Sequence, residues 1–213
     1  MSSDDTRTRI MDVAEQLFSL RGYDGVSVSE ITSTAKLQKS IISYHFGSKL
    51  GLWEAVFSRR VEALGAERLR LLGECENAPG GATVRGLIEA FLTPFFDLCR
   101  NQEAQAYARL VAQTSNAAHP QAIEALKLFN PIAKRFVAAF QRLLPEASEA
   151  AVVHGFNFFL GSMMLGLART ERVEGLSEGR VSGSDLDALY LYMVAFASAG
   201  MQALNDSDPV AKT

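Results

Sequence analysis

The chain has few groups able to carry covalent or metal chemistry. Its 213 residues include two cysteines, one tryptophan and three histidines. Cys75 and Cys99 form no CxxC pair, which argues against a disulfide framework or a zinc site and makes a reducing cytoplasm the simplest compartment. Two buried, inert thiols are expected. The histidines show no HxxxH spacing. No nucleophile is paired with a base, and there is no glycine-rich phosphate loop. An all-helical enzyme working through His119, His154 or a cysteine is therefore a poor alternative, and no cofactor or metal is expected. The opening "MSSDDTRTR" has no apolar core of the kind a secretory signal needs. A net charge of −3 excludes a polycation that binds nucleic acid by bulk charge alone. No segment shows strand alternation, and no internal repeat is visible.

Helical periodicity is present almost everywhere. Ile10, Val13, Ala14, Leu17 and Phe18 follow the spacing of one apolar helix face, over about residues 6–21. Gly22 suits a left-handed helix end. Ser27 opens Ser-Val-Ser-Glu, a capping box with Glu30 at its third position, and predicts a short helix over 27–34. A turn near Lys36 and Leu37 leads to a third helix, about 38–44. Ser48 caps a long fourth helix, about 48–74. Further helices are expected over 83–101, 103–115, 120–143, 146–169 and 185–204, with "ERVEGLSEGRVSGS" (171–184) as a flexible connector. The expected fold is all-α, with about nine helices. Residues 151–168 form a mostly apolar run at the edge of the membrane-spanning threshold. His154, Asn157 and Ser162 interrupt it, so a buried helix is the better reading and no membrane partner is expected.

The stretch "KLQKSIISYHFGSK" (36–49) gathers lysines, hydroxyls, amides and a Tyr-His pair on a short segment. Charge is distributed in the same sense: residues 1–60 carry eight Lys/Arg against seven Asp/Glu, while the whole chain is acidic. Three short helices with a tight turn between the second and third describe a helix-turn-helix unit. The third would lie in a major groove. Ile41, Ile42 and Phe46 would hold it from behind, and Gln38, Lys39, Ser40 and Ser43 would face outward. Lys49 beside a helix start favours phosphate, as do Ser27 and Ser29 at the start of the second helix.

The run "IMDVAEQLFSLRGYDGVSVSEITSTAKLQKSIISYHFGSKLGLWEAVF" (10–57) resembles the N-terminal pattern of TetR-family transcriptional regulators, with "YHFGSK" its most specific part. The resemblance implies phosphate contacts from Ser27, Ser29, Tyr44, His45 and Lys49. It implies base-edge or mixed contacts from Gln38, Lys39, Ser40 and Ser43. Three positions depart from the pattern. Lys36 stands at a turn position that is often glycine, and a left-handed lysine there carries strain of about 1 kcal/mol. Ser40 replaces a common glycine, and Ser43 stands where an aromatic is frequent.

The resemblance also implies a C-terminal effector pocket and a homodimer. Candidates for the pocket are Phe91, Phe95, Tyr107, Phe129, Phe136 and Phe159. Gln113, Asn130, His154 or Asn157 would be inward polar groups of a mixed lining. Pro94 and Pro131 suggest kinks that open space. The last two helices carry small and apolar residues suited to a four-helix bundle across a two-fold axis. Its candidate contacts are Phe158, Gly161, Ser162, Leu165, Tyr190, Val194, Ala197 and Met201. The expected organisation is a DNA-binding domain over 1–50 and an effector-binding and dimerisation domain over 51–213. The expected function is a cytoplasmic, homodimeric regulator, a repressor, that binds a palindromic double-stranded operator through helix 38–45. A lipophilic small molecule would release it. The alternative is a ligand-binding or interaction protein of the same fold that does not bind DNA.

Overall fold

The structure, a computed structural model, describes residues 3–101, 104–115, 120–168 and 170–206. Among the described residues there are eleven helices and no strands. They are α1 (Ser3–Arg21), α2 (Val28–Thr34), α3 (Ser40–Phe46), α4 (Lys49–Glu76), α5 (Val84–Arg100), α6 (Gln105–Ser115), α7 (Pro120–Lys127), α8 (Asn130–Leu143), α9 (Glu149–Leu167), α10 (Arg172–Leu176) and α11 (Leu186–Asp206).

The all-α class is as expected, but the count of about nine helices is corrected to eleven. The single helix expected over 120–143 is two helices. α7 stops at Lys127, and α8 restarts with Pro131 in its first turn. Proline tolerates that position because the first-turn N–H groups have no intrahelical acceptor. Pro131 therefore begins a helix and does not kink one, whereas Pro94 lies inside α5. The connector expected over 171–184 contains α10, entered through Glu171 at φ 53°.

The chain forms two compact units. The first comprises residues 1–62 and 102–128, the second residues 63–101 and 129–213. α4 runs through the boundary as one unbroken helix.

In the first unit, α1 carries Asp4 and Asp5 in its opening turn and Arg21 in its last, matching the helix dipole. It buries Ile10, Met11, Ala14 and Phe18 and ends at Gly22, φ 68°, whose N–H donates to Phe18 O at 2.8 Å. Trp53 of α4 sits edge-on to Phe18 at 4.9 Å and to Tyr23 at 5.3 Å. α6 packs on α1, and the Tyr107 hydroxyl donates to Phe57 O at 2.9 Å. Glu15 is buried and needs compensation, since an unpaired carboxylate in a low dielectric is costly. Arg59 donates to it and also to Asp12, and Arg60 lies 3.7 Å from it.

In the second unit, α5 packs on α8 and α11, and α9 on α8 and α11. Phe91 is the hub, edge-on to Phe136 at 5.0 Å, Phe156 at 5.2 Å and Phe159 at 5.6 Å. The buried Arg68 guanidinium covers the same ring at 3.7 Å, and its Nε donates to Phe91 O. A Cβ on Gly155 would meet Leu204 at 2.6 Å and Met201 at 2.8 Å, so glycine there lets α9 and α11 approach closely. Cys75 and Cys99 are free thiols. Burial, with Glu89 next in effect, pushes the Cys75 thiol up from its ordinary range. α9 is long and apolar enough to cross a membrane by length and composition, and 44% of that stretch is buried within the chain.

Candidate nucleic-acid interface

The turn that delivers α3 is built by backbone hydrogen bonds. Leu37 N–H reaches Thr32 O at 2.9 Å and Lys36 N–H reaches Ser33 O at 3.0 Å. That pair is a Schellman end, with the left-handed residue at Lys36, φ 54°. The lysine thus occupies the left-handed conformation in which its side chain carries strain. Before α2, the Ser27 hydroxyl oxygen accepts from Glu30 N at 3.1 Å. That is one half of the capping box; the Glu30 carboxylate turns to Arg21 at 2.5 Å.

α3 spans Ser40–Phe46, two residues later than the expected helix. Gln38 and Lys39 therefore precede it, with Lys39 as its N-cap residue. The shift follows from the Schellman end, which uses residues 36 and 37 and delays the next helical turn. Ile42 is 1% exposed and is the buried anchor; Ile41 and Phe46 are half-buried. Ser27, Ser29, Gln38, Lys39, Ser40 and Ser43 are exposed, Tyr44 is 78% exposed, and His45 is half-buried. The polar candidates are thus open to solvent, His45 in part, while one isoleucine faces in. Tyr44 and His45 meet edge-to-face at 4.8 Å.

The exit from α3 is tighter still. Gly47 adopts φ 73° and ψ −47°, and Ser48 N–H reaches back to Phe46 O at 2.8 Å. This is a γ-turn with positive φ, a strained geometry that glycine tolerates best. A Cβ on Gly51 would lie 2.1 Å from Phe46 O, so this crossing requires a second glycine. Ser48 Oγ accepts from Gly51 N at 3.1 Å and caps the start of α4. The Lys49 ammonium then sits 4.1 Å above the Tyr23 ring. Burial pulls it below the ordinary lysine range, and Asp24 partly offsets that effect. A partly desolvated cation at a helix start suits a phosphate oxygen.

One cation was not singled out by sequence pattern. The Arg7 guanidinium of α1 lies 5.3 Å from the Phe46 ring centroid. A basic residue ahead of the first apolar stripe is the sign of it in the sequence; its approach to Phe46 requires the tertiary fold.

In the second unit, Phe91, Phe136 and Phe159 come together as one cluster, with Phe95 buried on the same helix as Phe91. Tyr107 does not join them. It lies in the first unit, buried against Phe57 and Arg60. Phe129 is half-buried at the start of α8. Gln113, Asn130, His154 and Asn157 are all exposed, so none supplies an inward polar group. His119 lies outside the described residues.

The expected association residues divide by helix. On α9, Phe158 and Leu165 are 68% and 58% exposed, Gly161 is exposed and Ser162 is half-buried. On α11 the expected face is corrected. Val194, Ala197 and Met201 are buried within the chain, and the Tyr190 hydroxyl bonds Thr93 Oγ1 at 2.9 Å. The outward stripe of α11 is Leu191, Tyr192, Ala195, Phe196, Ala199 and Gly200. α5 and α9 claim the other side.

Residues 10–56 match the family described as bacterial regulatory proteins, tetR family. Residues 89–200 match the tetracyclin repressor-like C-terminal domain. The HTH-type transcriptional activator FasR of Mycolicibacterium smegmatis is 29% identical over 126 residues, 59% of this chain and 53% of that one. The biofilm operon icaADBC HTH-type negative transcriptional regulator IcaR of Staphylococcus aureus is 38% identical over 48 residues, 22% of this chain and 26% of that one. The matches thus span about half of FasR and about a quarter of IcaR. The transcriptional regulator FadR of Bacillus subtilis, solved in complex with stearoyl-CoA, shares the fold. Its TM-score is 0.59 at 17% identity, over 91% of this chain and 98% of that one. With both family regions matched in order along its length, the chain belongs to the TetR family of bacterial transcriptional regulators.

Proposed function

We propose that this chain is a homodimeric, DNA-binding repressor of transcription that takes a palindromic operator through α3 and is released by a lipophilic small molecule. The observation that carries the reading is the division of α3 and its approach. Ile42 is buried, and Lys39, Ser40, Ser43 and Tyr44 are turned to solvent. Base edges are read by Gln38, Lys39, Ser40 and Ser43. Phosphates are held by Ser27, Ser29, Tyr44, His45 and Lys49 on either side. Sequence discrimination comes from the first group and salt-dependent affinity from the second.

The dimer forms through the apolar outward stripes of α9 and α11. Two identical charge-poor stripes suit a two-fold contact, and two heads related by such an axis require an inverted-repeat site. In domain terms, residues 1–50 read DNA, and residues 51–213 bind effector and partner. The effector is taken in the region of the aromatic cluster around Phe91, Phe136 and Phe159, where the buried Arg68 guanidinium stands beside apolar rings. FadR, which shares the fold, was crystallised with an acyl-CoA, and that supports an acyl-type ligand here. The effector shifts DNA affinity only by its difference in affinity for the two protein states. α4, continuous from the head into the second unit, is the covalent route between them. FasR and IcaR are named for opposite signs of regulation, and the repressor assignment is tested directly by transcription from the protein's own promoter. A reaction in vitro, with and without the protein, gives fewer transcripts when it is added. The cytoplasm is the compartment in which this function operates.

The experiment is a fluorescence-anisotropy titration of a duplex from the gene's upstream region, with a scrambled duplex as control. Preferential binding that long-chain acyl-CoA reverses supports the reading. Equal weak binding to both duplexes contradicts operator recognition and favours a ligand-binding protein of the same fold.

A further inference from the structure

We propose that Arg7 of α1 is an additional phosphate contact, held at the edge of the duplex-facing surface by the ring of Phe46; this rests on the reading of α3 as the DNA face. Phe46 is the last residue of α3 and belongs to a continuous row of rings. Tyr44 meets His45 at 4.8 Å, and His45 meets Phe46 at 6.0 Å. Arg7 extends the row by one place, its guanidinium 5.3 Å from the Phe46 centroid. The row thus ends in a cation carried by a different helix.

The chemistry of this pair leaves the cation available to solvent. At 5.3 Å from the centroid, the guanidinium lies within cation–π range of the ring. Its five N–H donors lie in its own plane, so the edges of the fork stay available for a bidentate anion such as phosphate. Arg7 is exposed. It differs from three other arginines of the same unit, since Arg21 pairs with Glu30, Arg59 with Asp12 and Glu15, and Arg60 with Glu15. Among the described residues no carboxylate lies within ion-pair distance of Arg7, although Asp4 and Asp5 share its helix. The ring thus contacts the charge without neutralising it. Such a contact suits a phosphate clamp, because it lowers the ordering cost of a long side chain before the anion arrives.

The test uses the full chain and a labelled mixed-sequence duplex of about 40 base pairs, titrated between about 50 and 200 mM salt, where each lost phosphate contact flattens the log–log slope by about 0.9. Arg7→Ala is expected to weaken binding at low salt and to flatten the slope by that amount for each copy bound. Its deficit then narrows ~3.5-fold per copy across the range. Lys49→Ala is the parallel control. Arg7→Lys is expected to keep the slope while losing part of the affinity, and Phe46→Leu to lose affinity with Arg7 intact. Melting temperatures are recorded for each variant. If Arg7→Ala lowers the melting temperature, Arg7→Gln against Arg7→Lys decides, with the slope falling only in the first. An Arg7→Ala slope equal to the parent's, with Lys49→Ala flattened, overturns the inference and leaves the DNA reading standing. A parent protein that binds no duplex at any of these salts overturns both.

Discussion

The short helix α3 and the long helix α11 solve the same problem in opposite ways. α3 buries one isoleucine and turns hydroxyls and a tyrosine to solvent. α11 buries Met193, Val194, Ala197 and Met201 and leaves Leu191, Tyr192 and Phe196 uncovered, the last 73% exposed. An outward polar face next to lysines awaits a polar, charged partner. An outward apolar stripe awaits something apolar, because a contiguous exposed apolar surface on a monomer marks an interaction site. On the proposed function, the first surface meets duplex DNA and the second meets another copy of the chain.

The largest effects should come from the inward sides. Ile42→Ala should cost the head about 2–5 kcal/mol, and Met201→Ala the second unit a similar amount, as large-to-small core changes do. Chemical denaturation followed by circular dichroism would show each. A cost below about 1 kcal/mol at Met201 would mean that α11 is not docked as described. The outward positions should behave in the reverse manner. Phe196→Glu should leave the denaturation midpoint of a monomer intact and shift the protein from dimer to monomer in sedimentation velocity. A Phe196→Glu protein that remains fully dimeric would place the dimer contact elsewhere.

These two surfaces were unequally legible in sequence. The helices and turns of the head could be read closely. Its apolar stripe is narrow, its turn residues are Gly22, Lys36 and Gly47, and the polar face of α3 is set by a single buried position. Even there, α3 begins two residues later than the periodicity predicts, because a Schellman end at a lysine leaves no glycine to mark it. α9 and α11 defeat the same method for a physical reason. Both are apolar on nearly every side, so periodicity has no polar face from which to orient the helix. Val194, Ala197 and Met201 look as suitable for an interface as Leu191, Tyr192 and Phe196. Only the packing of α11 against α5 and α9 separates them. The inward placement expected of His154 and Asn157 failed similarly: in an apolar helix a polar residue need not face a pocket, and here both face out. The break at residues 128–129 was hidden because Pro131 reads equally as a kink or as a first-turn residue.

Smaller effects sharpen the account of the turn before α3. Lys36→Gly should raise stability by up to about 1 kcal/mol, because the left-handed conformation at φ 54° strains a lysine and not a glycine. The gain should appear as a higher midpoint in urea with an unchanged slope. If the same change lowers duplex affinity, Lys36 also contributes its charge to the DNA face. Ser43→Ala, wholly on the exposed side, should leave stability within about 0.5 kcal/mol.

The most direct test is selection of bound sequences from a random duplex library by the full-length protein. The account predicts recovery of an inverted repeat. It also predicts that the double substitution Gln38→Ala, Ser43→Ala changes the recovered bases, whereas Lys49→Ala lowers affinity for the same sequence. Recovery of no inverted repeat, or of an identical sequence at equal affinity by the α3 double variant, would contradict it.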